Sequence, residues 1–198
     1  GEGFEPIPQR VPDIPAYIQY AWGPERSSHL RASVVLRDMY LHNLRTAENT
    51  SLLGWGVQLS GTIRCCRAFR MFMNGVYGKG ITPYIQDLTG AGLDFTPDPR
   101  NAAYIQTMPM WGWQAAGQFS LTRRLTLSGG YSTVRIQRSH GFYADDEYKR
   151  GQYIFGNLFY VLTPRCTLAA EYLYGSRRNM SDAENHANRV NVMLQYTF

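Results

Sequence analysis

Arginine gives this sequence most of its capacity to recognise other molecules. All of its 20 basic residues except Lys79 and Lys149 are arginines, they are scattered along the chain, and the formal net charge is +5. A guanidinium group stays charged at physiological pH. Its planar fork of donors binds a carboxylate through two hydrogen bonds. The composition therefore favours contact with anionic groups rather than one generic basic patch.

No set of side chains predicts covalent, metal or cofactor chemistry. The histidines share no spacing; they are His29, His42, His140 and His186. The cysteines fit no zinc spacing and cannot all pair within one chain; they are Cys65, Cys66 and Cys166. One loop combines Ser139 and His140 with Asp145 and Asp146, but without the sequence context of an activated nucleophile. We therefore predict no enzymatic activity, no metal and no cofactor.

The elements that position the polar residues alternate between apolar and polar side chains, as half-buried β-strands do. In the last segment every even position from Val190 to Phe198 is apolar or aromatic, while Asn191 and Gln195 lie between them. Nine segments of about 10–14 residues follow this pattern. They cover roughly residues 14–23, 29–41, 52–64, 67–80, 104–119, 123–137, 148–163, 165–177 and 188–198.

The connections between these segments alternate in length. Short links at 23–28, 64–66, 121–122 and 163–164 alternate with longer ones at 42–51, 81–103, 138–147 and 178–187. This alternation is typical of an up-and-down meander with tight turns on one rim and loops on the other. Residues 1–13, with three prolines, are predicted to be an irregular lead-in, and residues 14–198 to be one β-barrel domain.

The segments match transmembrane β-strands better than strands of a soluble protein. They are longer than the usual 5–6 residues of soluble sheets, and aromatic residues lie near their ends. In lipid a sheet survives only if it closes on itself, with apolar side chains outside and polar ones inside. A soluble β-sandwich or lipocalin-like barrel would turn Trp55, Trp111 and Trp113 into one interior, which a small barrel cannot hold. A helical membrane protein is excluded, because no run approaches the ~18 apolar residues that a helix needs.

The face opposite the aromatic residues would line the lumen of such a barrel. Its candidate pore-lining residues are Arg31, Arg37, Gln58, Gln114, Arg135, Glu171, Arg177, Arg189 and Gln195. Asp38 has the other parity, near the loop rim, where a bulge would be needed to turn it inward. A ring of arginines in a pore favours anions and repels cations. The alternative is a structural ladder, in which Arg189 pairs with Glu171 across neighbouring strands.

The longest connection, residues 81–103, carries Tyr84, Asp87 and Asp94 together with three prolines. In porins a long loop often folds inward and narrows the channel, and we name these three residues as constriction-loop candidates. An exposed cap over the barrel is equally consistent with the sequence.

Several short segments of the sequence resemble the C-terminal half of the DcaP-like trimeric porins. They are PAYIQY (15–20), GWGVQLSG (54–61), VYGKGI (76–81), YIQDL (84–88), GQYIFGN (151–157), AEYLYG (170–175) and HANRV (186–190). Their order and spacing carry the resemblance over nearly all of residues 12–198. It implies an outer-membrane channel for small, often anionic, organic solutes in a Gram-negative bacterium, and a homotrimer. Those barrels have about 16 strands behind an N-terminal helical segment, so the nine or ten strands here represent a C-terminal part of one, or a shortened relative whose tenth strand the pattern does not reveal.

The end of the chain resembles the signal that the bacterial barrel assembly machinery recognises, because an alternating strand ends on Phe198. The sequence thus predicts membrane lipid, small anionic solutes and this machinery as partners. Nucleic acid is not expected as a partner. Proteins that stack bases need aromatic and cationic side chains on one surface, whereas here the aromatic residues are predicted on the face opposite the arginines. Two other classes stay open: a small non-channel barrel that serves as an anchor or adhesin, and a soluble ligand-binding β-barrel.

Overall fold

Strands form nearly all of the regular structure of this chain. The computed structural model describes residues 3–98, 100–137 and 143–198. Its strands are β1 (Phe4–Pro6), β2 (Ile14–Trp22), β3 (Ser28–Asn43), β4 (Glu48–Arg64), β5 (Phe69–Lys79), β6 (Phe95–Asp98), β7 (Asn101–Thr107), β8 (Pro109–Ser120), β9 (Leu125–Ile136), β10 (Tyr148–Thr163), β11 (Cys166–Asn179) and β12 (Glu184–Tyr196). No helix within these described ranges is long and apolar enough to cross a membrane.

Ten of the strands form one antiparallel sheet. Each long strand pairs with the next long strand along the chain, in the order β2, β3, β4, β5, β8, β9, β10, β11, β12. The short β1 pairs with the end of β3, on the side that β2 occupies further along. The order confirms the predicted up-and-down antiparallel architecture with nine long strands. Within the described residues the sheet stays open, because β2 and β12 do not pair.

The register divides the sheet into two faces with opposite chemistry. Val35, Gly56, Gly78, Met110 and Ile136 are successive cross-strand partners. Partners in an antiparallel ladder point to the same side, and side chains alternate along each strand. We call the side that holds these five residues, and every second residue from them, the polar face. The opposite side is the apolar face.

The apolar face carries aromatic pairs at both ends. Trp55 packs against Tyr77 near the loop end, with ring centroids 5.7 Å apart, and Phe69 stacks on Phe119 near the tight turns, at 4.3 Å. Tyr77 and Phe69 both lie on β5, eight residues apart, which is roughly 26 Å along a strand. An outer-membrane barrel has an apolar band of about 25 Å between two aromatic girdles.

Aliphatic side chains fill the band between these aromatic pairs, and nothing in the described chain covers them. Val34, Leu59 and Val192 are 49%, 55% and 72% exposed. A soluble sheet would bury such a face, so the surface chemistry of this sheet favours lipid.

The buried core lies on the polar face, beneath the connection between β5 and β8. We call residues 80–108 the long loop; it contains two 3₁₀ turns, at 82–84 and 86–88, and the β6–β7 hairpin. Its Ile81, Ile85 and Leu88 are at most 5% exposed and pack with Val35 and Met110 of the sheet. The long loop is therefore folded onto the polar face.

Three details differ from the sequence-based prediction. The β6–β7 hairpin occupies part of a connection expected to be irregular, and residues 101–107, partly assigned to the fifth barrel strand, belong to this hairpin. Two predicted long connections are tight turns, at 44–47 and 180–183, because the flanking strands extend beyond their apolar segments. Residues 4–6 of the lead-in extend the sheet.

Candidate pore-facing site

Most of the predicted pore-lining residues share the polar face. The register places on it Arg31, Arg37, Gln58, Gln114, Glu171, Arg177, Arg189 and Gln195. Asp38 stays on the apolar face, since the β3–β4 register is continuous, and its Oδ1 accepts a hydrogen bond from Ser51. Ser139 and His140, which share a predicted loop with Asp145 and Asp146, lie outside the described residues.

Arg135 corrects one prediction. It is the cross-strand partner of Trp111 and Arg150 and is exposed on the apolar face. Its neighbours Val134 and Ile136 take the polar face at this level because the long loop supplies an apolar surface there. Where these two side chains meet the long loop the polar face is locally apolar, and Arg135 between them points to the opposite side of the sheet.

Arg37 holds the long loop against the sheet. Its side chain is only 8% exposed and donates from Nη1 to the carbonyl of Gly80 at 2.6 Å and to Oδ1 of Asp94 at 3.1 Å. Its Nε donates to Oδ2 of Asp13 at 3.1 Å. The Tyr84 hydroxyl donates to the same Asp13 oxygen at 2.7 Å. One buried cation thus ties a strand, the lead-in and the start and middle of the long loop together.

Glycines make room for the long loop. A Cβ atom on Gly56 would lie 2.9 Å from Cδ1 of Ile81, and one on Gly54 would lie 2.9 Å from the Gly80 carbonyl oxygen. At Gly78 the added carbon would lie 2.3 Å from the backbone oxygen of Trp55. These distances are shorter than real Cβ contacts allow, so the close approach of the loop and the strands requires glycine at these positions.

Asp87 makes the second attachment of the long loop. Its Oδ2 accepts a long hydrogen bond, 3.4 Å, from the Tyr148 hydroxyl at the start of β10. Arg177 lies over the Tyr148 ring, with its Cζ 5.6 Å from the ring centroid, and donates from Nη2 to the Asp146 carbonyl at 3.1 Å. Partial burial of the carboxyl raises the pKa of Asp87, and the hydrogen bonds from Tyr148 and Tyr153 lower it by less.

This pKa predicts how pH affects the loop. Between the ordinary pKa of Asp87 and its raised folded value, the folded chain holds a proton that the unfolded chain has lost, so stability falls as pH rises through that window. We expect a small effect, since the side chain keeps contact with solvent. Hydrogen exchange of residues 86–88 should accelerate from pH 4 to pH 7, after correction for intrinsic rates, more in the wild type than in Asp87→Asn. Equal acceleration in the two proteins would contradict the assignment.

Amide and hydroxyl groups line the space between the long loop and the middle of the sheet. Gln58 donates from Nε2 to Oδ1 of Asn74 at 2.9 Å. With Gln114 and Ser132 these residues line a cavity of about 270 Å³ whose other wall is Tyr84 to Asp87 of the loop. The cavity has room for a small hydrated solute.

Two of the predicted pore-lining arginines lie away from the long loop and have no carboxylate partner among the described residues. Arg31 donates to Oε1 of Gln19 at 2.9 and 2.7 Å, and Arg189 donates to Oδ1 of Asn191 at 2.9 Å. Asn191 in turn donates to Glu171 at 2.8 Å. The predicted Arg189–Glu171 ladder is thus an amide-bridged chain and not a direct ion pair.

Sequence reasoning missed two kinds of residue. Asp13 was assigned to an irregular lead-in, and nothing in its local pattern links it to Arg37, which is 24 residues away. Tyr148 was counted as a strand residue only. The glycine-rich segments at 54–56 and 78–80 did indicate that another part of the chain packs closely there, because glycine in a strand marks close backbone approach. The described residues bring together no group of three metal-ligating side chains.

Comparison with known proteins identifies the fold. No family model matches the sequence, and no curated protein matches it. The chain superimposes on the outer membrane channel DcaP of Acinetobacter baumannii with a TM-score of 0.79 and 19% sequence identity. The fold is part of a DcaP-like porin barrel.

The match to DcaP covers 98% of this chain and 53% of the DcaP chain, so this chain spans about half of that channel's length. The open sheet is what half of a barrel would give. A second match, the NanC porin, has a TM-score of 0.48 with 10% identity over 94% of each chain. The all-β fold shared with DcaP agrees with the predicted antiparallel architecture.

Proposed function

We propose that this chain forms an outer-membrane channel, or half of one, for passive uptake of small hydrophilic anionic organic solutes. The observation that carries the proposal is the pair of predicted pore-lining arginines, Arg31 and Arg189, which contact amide oxygens and have no carboxylate partner among the described residues. A guanidinium without a carboxylate partner can exchange an amide contact for a carboxylate of a passing solute.

The two faces of the sheet support this orientation. The exposed aliphatic and aromatic side chains of the apolar face suit lipid, which leaves the polar face for the lumen. The long loop, attached through Arg37 and Asp87, would then narrow the pore, with Tyr84, Asp87 and Asp94 at the constriction. Arginines that line a pore favour anions, and Arg31 and Arg189 lie on the polar face outside this constriction.

If Arg31 and Arg189 select anions, replacing both of them should change the ion selectivity of the channel. In bilayers under a salt gradient, the wild-type channel should pass chloride better than potassium. Arg31→Gln with Arg189→Gln should lower the chloride-to-potassium permeability ratio severalfold. The matched control replaces Arg45, in the turn at 44–47, and Arg135, on the apolar face, by glutamine and should keep the ratio. An unchanged ratio in the Arg31 and Arg189 variant would refute anion selection by this face.

A gel experiment should come before the bilayer experiment. A closed barrel resists SDS until it is heated, so the detergent-folded chain should migrate differently before and after boiling. A clear shift would support a barrel closed by one or more copies of this chain. Identical mobility would indicate that the sheet needs further strands for closure.

Assembly into the membrane is also part of the proposal. Val190, Val192, Leu194 and Tyr196 lie on the apolar face, and Phe198, beyond the end of β12, is fully exposed. This arrangement would suit recognition by the barrel assembly machinery. The homotrimer implied by the resemblance stays a prediction.

A further inference from the structure

The rim formed by the tight turns is rich in arginine. The turns at 23–27, 65–68, 121–124 and 164–165 carry, in or directly beside them, Arg26, Arg64, Arg67, Arg123, Arg124 and Arg165, all exposed. Glu25 is the only carboxylate side chain within these four described turns. We call this set the tight-turn rim. It concentrates positive charge at one end of the sheet.

The charge of the tight-turn rim is not compensated within the described chain. None of its six arginines forms an ion pair there. At the loop end two of the basic residues form ion pairs, Lys149 with Asp182 and Arg178 with Glu184. Like charges directly opposite each other destabilise a sheet, yet Arg64 and Arg70 are direct cross-strand partners. An external anion would relieve this repulsion.

Backbone hydrogen bonds align the turns at one level. The Ser120 amide donates to the Ala68 carbonyl at 2.8 Å, and the Val161 amide donates to the Arg124 carbonyl at 2.8 Å. The Thr197 amide donates to the Arg165 carbonyl at 2.9 Å. Each bond joins a turn to the neighbouring strand end, so the arginines form a band along the rim.

Two of these arginines, Arg64 at the end of β4 and Arg67 in the turn after it, line a cleft at the strand ends together with Trp22 at the end of β2. The cleft has a volume of about 400 Å³ and lies between Trp22, Ser27, Ser28, Arg64 and Arg67. The Ser28 hydroxyl already accepts a hydrogen bond from the Arg64 amide at 3.0 Å, which fixes the two turns relative to each other. Trp22 stacks on Tyr20, with centroids 5.7 Å apart. Guanidinium and hydroxyl groups thus lie beside an aromatic pair.

We propose that the tight-turn rim binds the phosphate groups of anionic phospholipids, with the Trp22–Arg67 cleft as a headgroup site. Arginine binds phosphate through two hydrogen bonds. Tryptophan and tyrosine prefer the headgroup level of a membrane, where an aromatic ring meets both acyl chain and water. The inference rests on the proposed membrane location, in which short turns lie at the periplasmic leaflet. A soluble anion would not use the aromatic pair, which is why a lipid is the occupant.

The test measures lipid binding to the full chain folded in non-ionic detergent. Dioctanoyl-phosphatidylglycerol and dioctanoyl-phosphatidylcholine are titrated in parallel by native mass spectrometry. The wild type should prefer phosphatidylglycerol. An arginine at a membrane surface contributes about 1 kcal/mol, and 1.4 kcal/mol is tenfold. Arg64→Gln with Arg67→Gln should therefore weaken phosphatidylglycerol binding on the order of 10- to 30-fold and leave phosphatidylcholine binding unchanged.

The control replaces Arg45 and Arg100 by glutamine, which removes the same charge from the loop end and should keep the preference. Equal losses in both variants would overturn the site. Displacement of phosphatidylglycerol by millimolar inorganic phosphate would overturn lipid as the occupant. Flotation with phosphatidylcholine vesicles tests the membrane location separately. A wild type that floats without preferring phosphatidylglycerol refutes only the lipid proposal, whereas one that does not float refutes the membrane location and the lipid proposal with it.

Discussion

Replacing Arg37 by methionine should release the long loop from the sheet. Arg37 is 8% exposed and contacts carboxylates that are 24% and 18% exposed, Asp13 and Asp94. Removing one partner of a buried ion pair leaves the others uncompensated and costs about 3–5 kcal/mol. Because both carboxylates retain some solvent contact, we expect about 3 kcal/mol. Hydrogen exchange of residues 80–108 in the detergent-folded protein should accelerate about a hundredfold, while the barrel strands exchange as in the wild type.

Arg31→Met provides the matched control for this variant. Arg31 lies on the same strand and the same face, but it contacts Gln19 rather than buried carboxylates. It should leave exchange in the long loop unchanged. If Arg37→Met also left it unchanged, the long loop would be held by its apolar core alone. A double-mutant cycle with Asp94→Leu should give a coupling energy above 1 kcal/mol, because the two groups are in direct contact.

Gly78→Ala should destabilise the sheet itself at the contact between β4 and β5. The added methyl group would lie 2.3 Å from the Trp55 oxygen, 2.7 Å from Cα of Gly56 and 2.7 Å from Cδ1 of Ile81. Two of these three neighbours are backbone atoms of β4, which cannot rotate away. Overpacking of this kind costs typically 1–3 kcal/mol, and we expect the upper end of that range. The midpoint temperature of SDS-resistant migration should fall clearly.

Gly75→Ala is the internal control, since Gly75 lies on the same strand and nothing lies within 4 Å of its added methyl group. It should be neutral or slightly stabilising, because alanine lowers the entropy of the unfolded chain. Equal destabilisation by both substitutions would mean that strand β5 loses stability through any methyl group. In that case the close approach at Gly78 would not be the cause.

The strand pattern was readable from sequence because it follows from local geometry. Side chains alternate along every strand with a period of two, and a membrane imposes opposite chemistry on the two faces. The terminal alternation from Val190 to Phe198 and the glycine and tryptophan pattern at 54–59 therefore predicted strands that are present as β12 and β4. The approximate strand lengths, the tight turns of one rim and the order of the strands followed from the same regularity.

The position of the long loop could not be predicted from this local pattern. The sequence left an inward fold and an exposed cap equally open, because the contacts that decide between them are non-local. Arg37 meets Asp94 across 57 residues and Asp13 across 24. Arg135 was misplaced for the same reason, since Val134 and Ile136 are buried by the long loop rather than by lipid. Polarity alone does not identify a face where another element packs on it.

By itself the sequence determined the number of long strands, their antiparallel order and the chemistry of the two faces, since periodic local pattern and chain connectivity set all three. Only the tertiary structure decided which polar residues remain free on the polar face and which, such as Arg37 and Arg177, are engaged in holding the long loop and its neighbourhood. The local sequence pattern around an arginine is the same whether its side chain is free or bound to a distant segment. Its role depends on whether a carboxylate or carbonyl from a distant segment comes within hydrogen-bonding distance.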